Sequence, residues 1–280
     1  MTTEPTTAGD RLSPHDLERV LNETFIDRVD HCAESPSTNS RALELAAAAP
    51  DDDQSILVIA DRQTDGRGRG ANTWWSADGA LTFSVLIKTL QFAVPVSRWP
   101  QLSLTTGLAI CEAIESVRPQ LTTTIKWPND VYLGGRKVAG ILVEGADVNR
   151  GRLIVGIGLN VNNSMTGAPA ELCDKATALC DAVGQRVSPI EMLVAILRKL
   201  AARLEWLSRG TAELQAVWSQ RCLLTGCHVE IELPTRRIAG HCAGIDGEGA
   251  LVVNTEDGAE RCLSGVVACF SASSADSPSG

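Results

Sequence analysis

At Cys227 the sequence changes its hydrophobic period, and that change limits the fold more than any single motif does. Upstream, apolar segments are either continuous and β-branched, as in buried strands, or spaced at three and four residues, as in packed helices. Downstream, Val229-Glu230-Ile231-Glu232-Leu233 alternates, as a half-exposed strand should. Short runs at 238–245, 250–254 and 260–269 follow, split by glycine and aspartate turns. The chain therefore reads as a mixed α/β domain over 13–221 and a small β-barrel over 222–270. Residues 1–12 and the Ser/Ala/Pro/Gly-rich tail over 271–280 read as disordered.

Within the larger domain, Ser13-Pro14-His15-Asp16 opens a helix: a serine cap, proline at the first helical position and an acid in the first turn. Residues 40–50 read as a helix ended by Pro50, and 96–117 as one long helix. Strands are expected at 55–60, 81–90, 122–127, 138–145 and 153–161, and helices at 189–207 and 211–221. No internal repeat is present.

Composition narrows the function class. A 280-residue chain with 44% hydrophobic and 21% charged residues is ordinary for a soluble domain. Its net charge of −9 argues against a general nucleic-acid binder, which needs a broad basic face. The first ten residues lack the apolar centre of a signal peptide, and no apolar run is long enough to span a bilayer. A cytoplasmic protein is expected, with its nine cysteines as reduced thiols. Cys222, Cys227, Cys242, Cys262 and Cys269 lie near His228 and His241, but without the paired close spacing typical of zinc sites.

Five segments carry chemistry. Gln63-Thr64-Asp65-Gly66-Arg67-Gly68-Arg69-Gly70 leaves a buried strand and puts two guanidinium groups on a nearly bare backbone. Such a loop can close on a carboxylate or phosphate; its plain alternative is a flexible basic loop. Lys126-Trp127-Pro128-Asn129-Asp130 sets an amine, an amide and a carboxylate in one corner, or is simply a hairpin over a buried tryptophan. Lys137 begins the apolar run Val138-Ala139-Gly140-Ile141-Leu142, where it holds an anion or snorkels to solvent. Gly156 and Gly158 weaken a strand unless something approaches the backbone there, and Asn160 follows them. A bulge is the alternative. Ser37-Thr38-Asn39 offers either ligand hydroxyls or an ordinary helix cap. No Walker-A, dinucleotide, G-x-S-x-G, H-E-x-x-H or kinase motif is present.

In this order the five segments resemble the biotin–protein ligases, or holocarboxylase synthetases, from Ser37 through most of the chain. The resemblance implies an α+β catalytic domain related to class II aminoacyl-tRNA synthetases and lipoate ligases. It also implies an SH3-like terminal domain, matched by Gly244-Ile245-Asp246-Gly247-Glu248-Gly249-Ala250-Leu251. It further implies a two-step reaction. Biotin and MgATP form biotinyl-5′-AMP, and a lysine of a biotin carboxyl carrier domain, such as that of acetyl-CoA carboxylase, then takes the biotin.

By the same resemblance, Ser37, Thr38, Asn39, Gln63, Arg67, Gly68, Arg69, Lys137 and Gly140 bind biotin. Arg69, Trp74, Lys126, Asn129 and Asn160 bind the nucleotide, Asp130 holds Mg²⁺, and Lys137, Arg67 and Arg69 are catalytic. Two departures stand out. Gly70-Ala71-Asn72 replaces a second arginine pair found in many bacterial members. Also, too few residues precede Ser37 for the winged helix of the bifunctional repressors, so an enzyme without DNA binding is expected. The resemblance allows a monomer or a homodimer. A lipoate or octanoate ligase, and a non-catalytic biotin sensor, remain the competing readings.

Overall fold

The computed structural model describes residues 11–210 and 212–272. Helix α1 (Pro14–Glu23) begins as its sequence requires. The Asp16 amide donates to Ser13 Oγ at 3.2 Å, and the Ser13 amide donates to the Asp16 carboxylate at 2.9 Å. This capping box satisfies two of the N–H groups that a helix end leaves without partners.

The chain continues through β1 (Arg28–Ser35), α2 (Thr38–Ala48), β2 (Ile56–Gln63), β3 (Ala80–Lys88) and α3 (Leu102–Val117). Next come β4 (Thr123–Lys126), β5 (Asp130–Leu133), β6 (Arg136–Asp147) and β7 (Arg152–Asn160). Helices α4 (Ala170–Cys173), α5 (Leu179–Val183), α6 (Pro189–Arg209) and α7 (Ala212–Arg221) follow. The strands form one sheet in the order β1-β2-β3-β7-β6-β5-β4, antiparallel except for the β1–β2 pair.

Strand alternation sorts the apolar residues onto two faces. Ile56, Val58, Leu86 and Ile154 pack with Ala42 and Ala46 of α2. Leu57, Ile59, Val85, Ile87 and Val155 enter the larger core with residues of α3 and α6. Because both faces are covered, the central strands are continuous apolar runs, which made them legible as buried. The α2 face is thin and is reinforced by Arg152, which is only 3% exposed. Its guanidinium donates to the carbonyls of Ala46, Ala49 and Pro50 at 3.3, 2.9 and 3.4 Å, at the C-terminal end of α2. A cation there satisfies carbonyls that the helix cannot.

The terminal sheet contains β8 (Cys227–Glu232), β9 (Arg237–Ile245), β10 (Leu251–Thr255), β11 (Gly258–Cys262) and β12 (Val266–Ala272). Its order is β11-β10-β9-β8-β12, wholly antiparallel. The pairing ends on β11 and β12 without joining them, so among the described residues this sheet is open and not a closed barrel. Its core is nonetheless continuous with that of the larger sheet: Val229 and Ile231 belong to the same cluster as Leu104 and Trp218. The indole N–H of Trp127 also donates to the Gly249 carbonyl at 3.1 Å.

Several expectations need correction. Residues 96–117 are not one helix: Val96–Gln101 is a 3₁₀ segment, and the α-helix starts at Leu102, past Pro100, which has no N–H to give. The run 260–269 is two strands, parted where Gly265 takes φ +152. Ser271 and Ala272 lie in β12, not in a tail. Strand β1 was not anticipated, because as a half-exposed edge it has no apolar run; β5 is only four residues long. Apart from Arg11 and Leu12, the expected disordered start lies outside the described residues, as does 273–280. Among the described residues no helix is long and apolar enough to cross a membrane, and no group of three or more His, Cys, Asp or Glu could hold a metal.

One ion pair joins α3, β4 and α7. Arg221 donates to both Glu115 oxygens at 2.7 Å, and Glu115 also accepts from the Thr123 amide at 3.0 Å and its hydroxyl at 2.8 Å. Burial works to raise the Glu115 pKa, but the bonds from Arg221 and Thr123 prevail and hold it below the ordinary 4.5. A depressed carboxylate contributes stability that is complete above its unfolded pKa and is lost as pH falls through the folded value. Glu115→Gln is expected to cost about 2 kcal/mol at pH 7. It should also flatten the decline in stability below pH 4.5, measured by denaturant unfolding at pH 3–7.

Candidate active site

The strand face that carries α2 loses its side chains beside the helix. Gly140 of β6 pairs with Gly158 of β7, and Gly156 lies two residues earlier on β7. Both registers of β7 are regular here, so no bulge explains these glycines. The chain's own side chains do. A Cβ on Gly156 would sit 2.1 Å from Asn39 Oδ1, and one on Gly158 would sit 2.3 Å from Cε2 of Trp74. The bare floor thus seats the Asn39 amide and the Trp74 indole.

Above this floor is a cavity of about 360 Å³. Ser37, Thr38, Asn39, Gln63, Arg67, Gly68, Arg69, Trp74, Lys126, Asn129, Asp130, Lys137 and Gly140, each a candidate from the sequence, all line it. Asn160 does not. It lines a neighbouring cavity of about 500 Å³, which shares Gln63, Thr73, Trp74 and Lys137 with the first. The Asn160 amide is also engaged within the fold: Nδ2 donates to the Thr177 carbonyl at 3.1 Å, and Oδ1 accepts from Asn163 at 2.9 Å.

The polar wall starts at α2. Ser37 occupies the cap position but makes no side-chain capping bond, so the ordinary cap reading fails for it. Gln63 Oε1 accepts from the Thr38 amide at 2.7 Å and its hydroxyl at 3.2 Å. The Ser84 hydroxyl lies 2.7 Å from Thr38 Oγ1 and 2.6 Å from Asn39 Oδ1. Asn39 Nδ2 donates to Glu144 at 2.7 Å. Neither Ser84 nor Glu144 was assigned a role from sequence. Each hides inside a strand, and only the fold brings it to α2.

The arginine–glycine segment folds back on itself. Gly68 N–H donates to the Asn72 carbonyl at 2.8 Å, Trp74 N–H donates to the Gly66 carbonyl at 2.7 Å, and Gly70 takes φ +65 at the tip. Arg67 and Arg69 therefore do not point together as in an extended strand. Arg67 pairs with Glu144 and donates to Ser40 Oγ at 3.2 Å, whereas Arg69 donates to the Gly265 carbonyl at 2.6 Å. Gly265, Val266 and Val267 complete the cavity wall from the terminal sheet.

The Lys126–Asp130 corner is a hairpin between β4 and β5 with a cis Trp127–Pro128 bond and a buried tryptophan. It combines the plain reading with the functional one, since the same turn lines the cavity. Asn129 is locked to β6: Nδ2 donates to the Ile141 carbonyl and its own carbonyl accepts the Ile141 amide, both at 2.9 Å. Lys137 reaches the cavity through a bulge. Val131 pairs with Ala139 but Tyr132 pairs with Lys137, so Val138 is an extra residue. That insertion turns Lys137 onto the face of Gly140, which simple alternation would deny it. Its ammonium meets Asp130 at 2.6 Å and lies 5.8 Å from the Trp74 ring centre.

The lining thus carries four cations, Arg67, Arg69, Lys126 and Lys137, against one carboxylate, Asp130. Burial lowers the Lys126 pKa, with Lys137 acting in the same direction and Asp130 opposing. An entering anion relieves this excess of positive charge.

Residues 32–162, which hold nearly all of this lining, match the biotin/lipoate A/B protein ligase family. The bifunctional ligase/repressor BirA of Bacillus subtilis is 35% identical over 232 residues, 81% of this chain and 70% of that protein. The biotin–[acetyl-CoA-carboxylase] ligase of Mycobacterium tuberculosis is 34% identical over 258 residues, 89% of this chain and 93% of that one. The chain belongs to the biotin/lipoate A/B protein ligase family. Among solved structures, the biotin protein ligase from Aquifex aeolicus in complex with biotin and ATP superposes with a TM-score of 0.75 at 32% identity. That likeness covers 88% of this chain and 98% of the Aquifex chain, so it extends well beyond the family segment.

In this family member the glycine floor is directly testable. Gly158→Ala is expected to unseat the Trp74 indole and cost about 2 kcal/mol from overpacking. Thermal unfolding measures the cost. A red-shifted tryptophan emission, absent from the Trp74→Phe/Gly158→Ala double variant, would report the displacement.

Proposed function

We infer that this chain is an ATP-dependent biotin–protein ligase. The observation that carries the reading is the meeting of the expected biotin residues from α2, the arginine–glycine loop and β6 in one cation-rich cavity, beside a second cavity that shares Trp74 and Lys137. Biotin occupies the first cavity, with its ureido ring against the hydroxyl and amide groups of Ser37, Thr38, Asn39 and Gln63. The adenosine of ATP takes the second, with Trp74 as the partition and Asn160 in the wall. Lys137, common to both, stands where carboxylate and phosphate must meet.

In the first step a biotin carboxylate oxygen attacks the α-phosphorus of ATP and pyrophosphate leaves. Two anions must approach, so the barrier is largely electrostatic, and Lys137, Arg67 and Arg69 lower it by offsetting charge as it concentrates. Lys126 and Asn129 line the same side as Asp130 and serve the polyphosphate. Among the described residues Asp130 is the only carboxylate of the lining, which suits Mg²⁺: this ion commonly takes one or two carboxylates and completes its shell with phosphate oxygens and water. Bound there, it would neutralise phosphate charge. In the second step the neutral ε-amine of the acceptor lysine attacks the anhydride carbonyl. AMP leaves with the bonding pair, and the amine proton passes to solvent. Until the acceptor arrives, the arginine–glycine loop excludes water from the anhydride.

The acceptor is the carrier domain of a biotin-dependent carboxylase, as the name of the Mycobacterium relative indicates for that enzyme. We read 13–221 as the catalytic domain and 222–270 as an SH3-like domain. The contact of Gly265 with Arg69 supports a terminal sheet that completes the catalytic cavity.

ATP–pyrophosphate exchange with biotin, lipoate or no acid tests this function. Exchange that requires biotin is expected. Exchange driven by lipoate would make the chain a lipoate ligase, and tight biotin binding without exchange would make it a sensor. Lys137→Ala and Arg67→Ala should each fold and lower the exchange rate by about a hundredfold or more; near-normal exchange in both would refute their assignment.

A further inference from the structure

Gly140, Leu142 and Glu144 alternate along one face of β6, and the first two line the cavity. Glu144 lies just beyond the lining, yet it holds two groups that form it. One carboxylate oxygen pairs with the Arg67 guanidinium, and the other accepts from Asn39 Nδ2 at 2.7 Å. We propose that Glu144 is the positioning residue of this site, presetting Arg67 and Asn39 together for the acid substrate. The proposal rests on the biotin-ligase reading and deepens it.

The orientation of Asn39 follows from donor and acceptor chemistry. An ionised carboxylate only accepts, so Asn39 must turn its NH₂ toward Glu144. Its Oδ1 is then left to the Ser84 hydroxyl at 2.6 Å. Asn39 is 3% exposed and rests on Gly156, where even a Cβ would collide. The amide is also fixed independently of the carboxylate, since Nδ2 donates to the Leu142 carbonyl at 3.3 Å, so Glu144 bonds to a group that does not move and cannot swing away without losing that bond. This separates positioning from competition. A carboxylate free to move would block Arg67 and yield to the substrate, whereas one anchored through Asn39 holds Arg67 at a fixed place beside it. Arg67 is steadied further by Ser40 Oγ at 3.2 Å, so α2, β6 and the arginine–glycine loop meet at one carboxylate.

Glu144→Gln keeps the shape and removes the charge. Its single carbonyl can serve Asn39 or Arg67, but its NH₂ then faces another donor. Arg67 remains in the variant and can still be gathered by a bound anion, so the loss falls on substrate binding more than on turnover. In ATP–pyrophosphate exchange the Gln variant should raise KM for biotin about tenfold and leave kcat within about twofold. Glu144→Asp, which keeps the charge but shortens its reach, should raise KM severalfold. It carries the test alone if the Gln variant does not fold. Thermal unfolding of each variant separates a lost fold from a lost position. A KM equal to wild type, or a lower one, overturns the proposal, the lower value by showing that Glu144 competes with the substrate. Wild type tested alongside distinguishes the two levels: no biotin-dependent exchange in wild type overturns the ligase reading itself, whereas an active wild type with unaltered variants overturns only the role of Glu144.

Discussion

Trp74 lies on the central sheet because Gly140 and Gly158 face each other across β6 and β7 with no side chain between them. Everything at the site follows from that bare floor. The indole divides the space into two cavities, and the strand beneath it remains fully paired. Gly156 does the same for Asn39, letting the first turn of α2 approach the sheet within hydrogen-bonding reach of Ser84 and Glu144. Glycine in a strand ordinarily weakens it. Here the loss is offset by buried contacts that the neighbouring side chains make with the backbone.

The electrostatics depend on the same closeness. Four cations around one cavity would repel strongly if each stood alone. Lys137 has Asp130, Arg67 has Glu144, and Arg69 has a carbonyl of the terminal sheet. Among the described residues Lys126 has no carboxylate of its own: Asp130 acts on it, while its ammonium lies over the rings of Tyr132 and Phe270 at 5.7 and 5.0 Å. The positive charges are held in place by partners at the rim, and an anionic substrate meets an array already arranged for it. The two sheets are coupled through this array, since the Arg69 contact and the Trp127–Gly249 hydrogen bond both cross between them.

Much of the scaffold was legible because burial imposes patterns on sequence. The continuous apolar runs of β2, β3 and β7 could only be strands covered on both faces, and strict alternation marked β8. The serine cap at Ser13, with Pro14 and Asp16 in the first turn, announced α1. An element without such a pattern stays hidden, as does β1, an edge strand with mixed polarity; β5, too short to show a period, is implied only by the hairpin reading of Lys126–Asp130. The split of 96–117 was overlooked because Pro100 was absorbed into an otherwise helical run. The β-barrel reading went one step too far. Alternation establishes antiparallel strands, but closure depends on whether the edge strands pair, and β11 and β12 do not.

Which residue types were available for chemistry is a matter of sequence alone: two arginines among glycines, a Lys-Trp-Pro-Asn-Asp corner and glycines in a strand each admit a ligand beside their plain structural reading. Their convergence on one cavity was left to the tertiary structure. Lys137 faces Gly140 only through a bulge at Val138, which depends on the register of β5 against β6. Asn160, adjacent in sequence to the glycine floor, is turned by its bonds to Thr177 and Asn163 into the neighbouring cavity. Glu144 joins Arg67 and Asn39 across sequence separations of 77 and 105 residues. Local chemistry is written residue by residue, whereas a hydrogen bond across such distances exists only once sheet register and helix packing have fixed both ends.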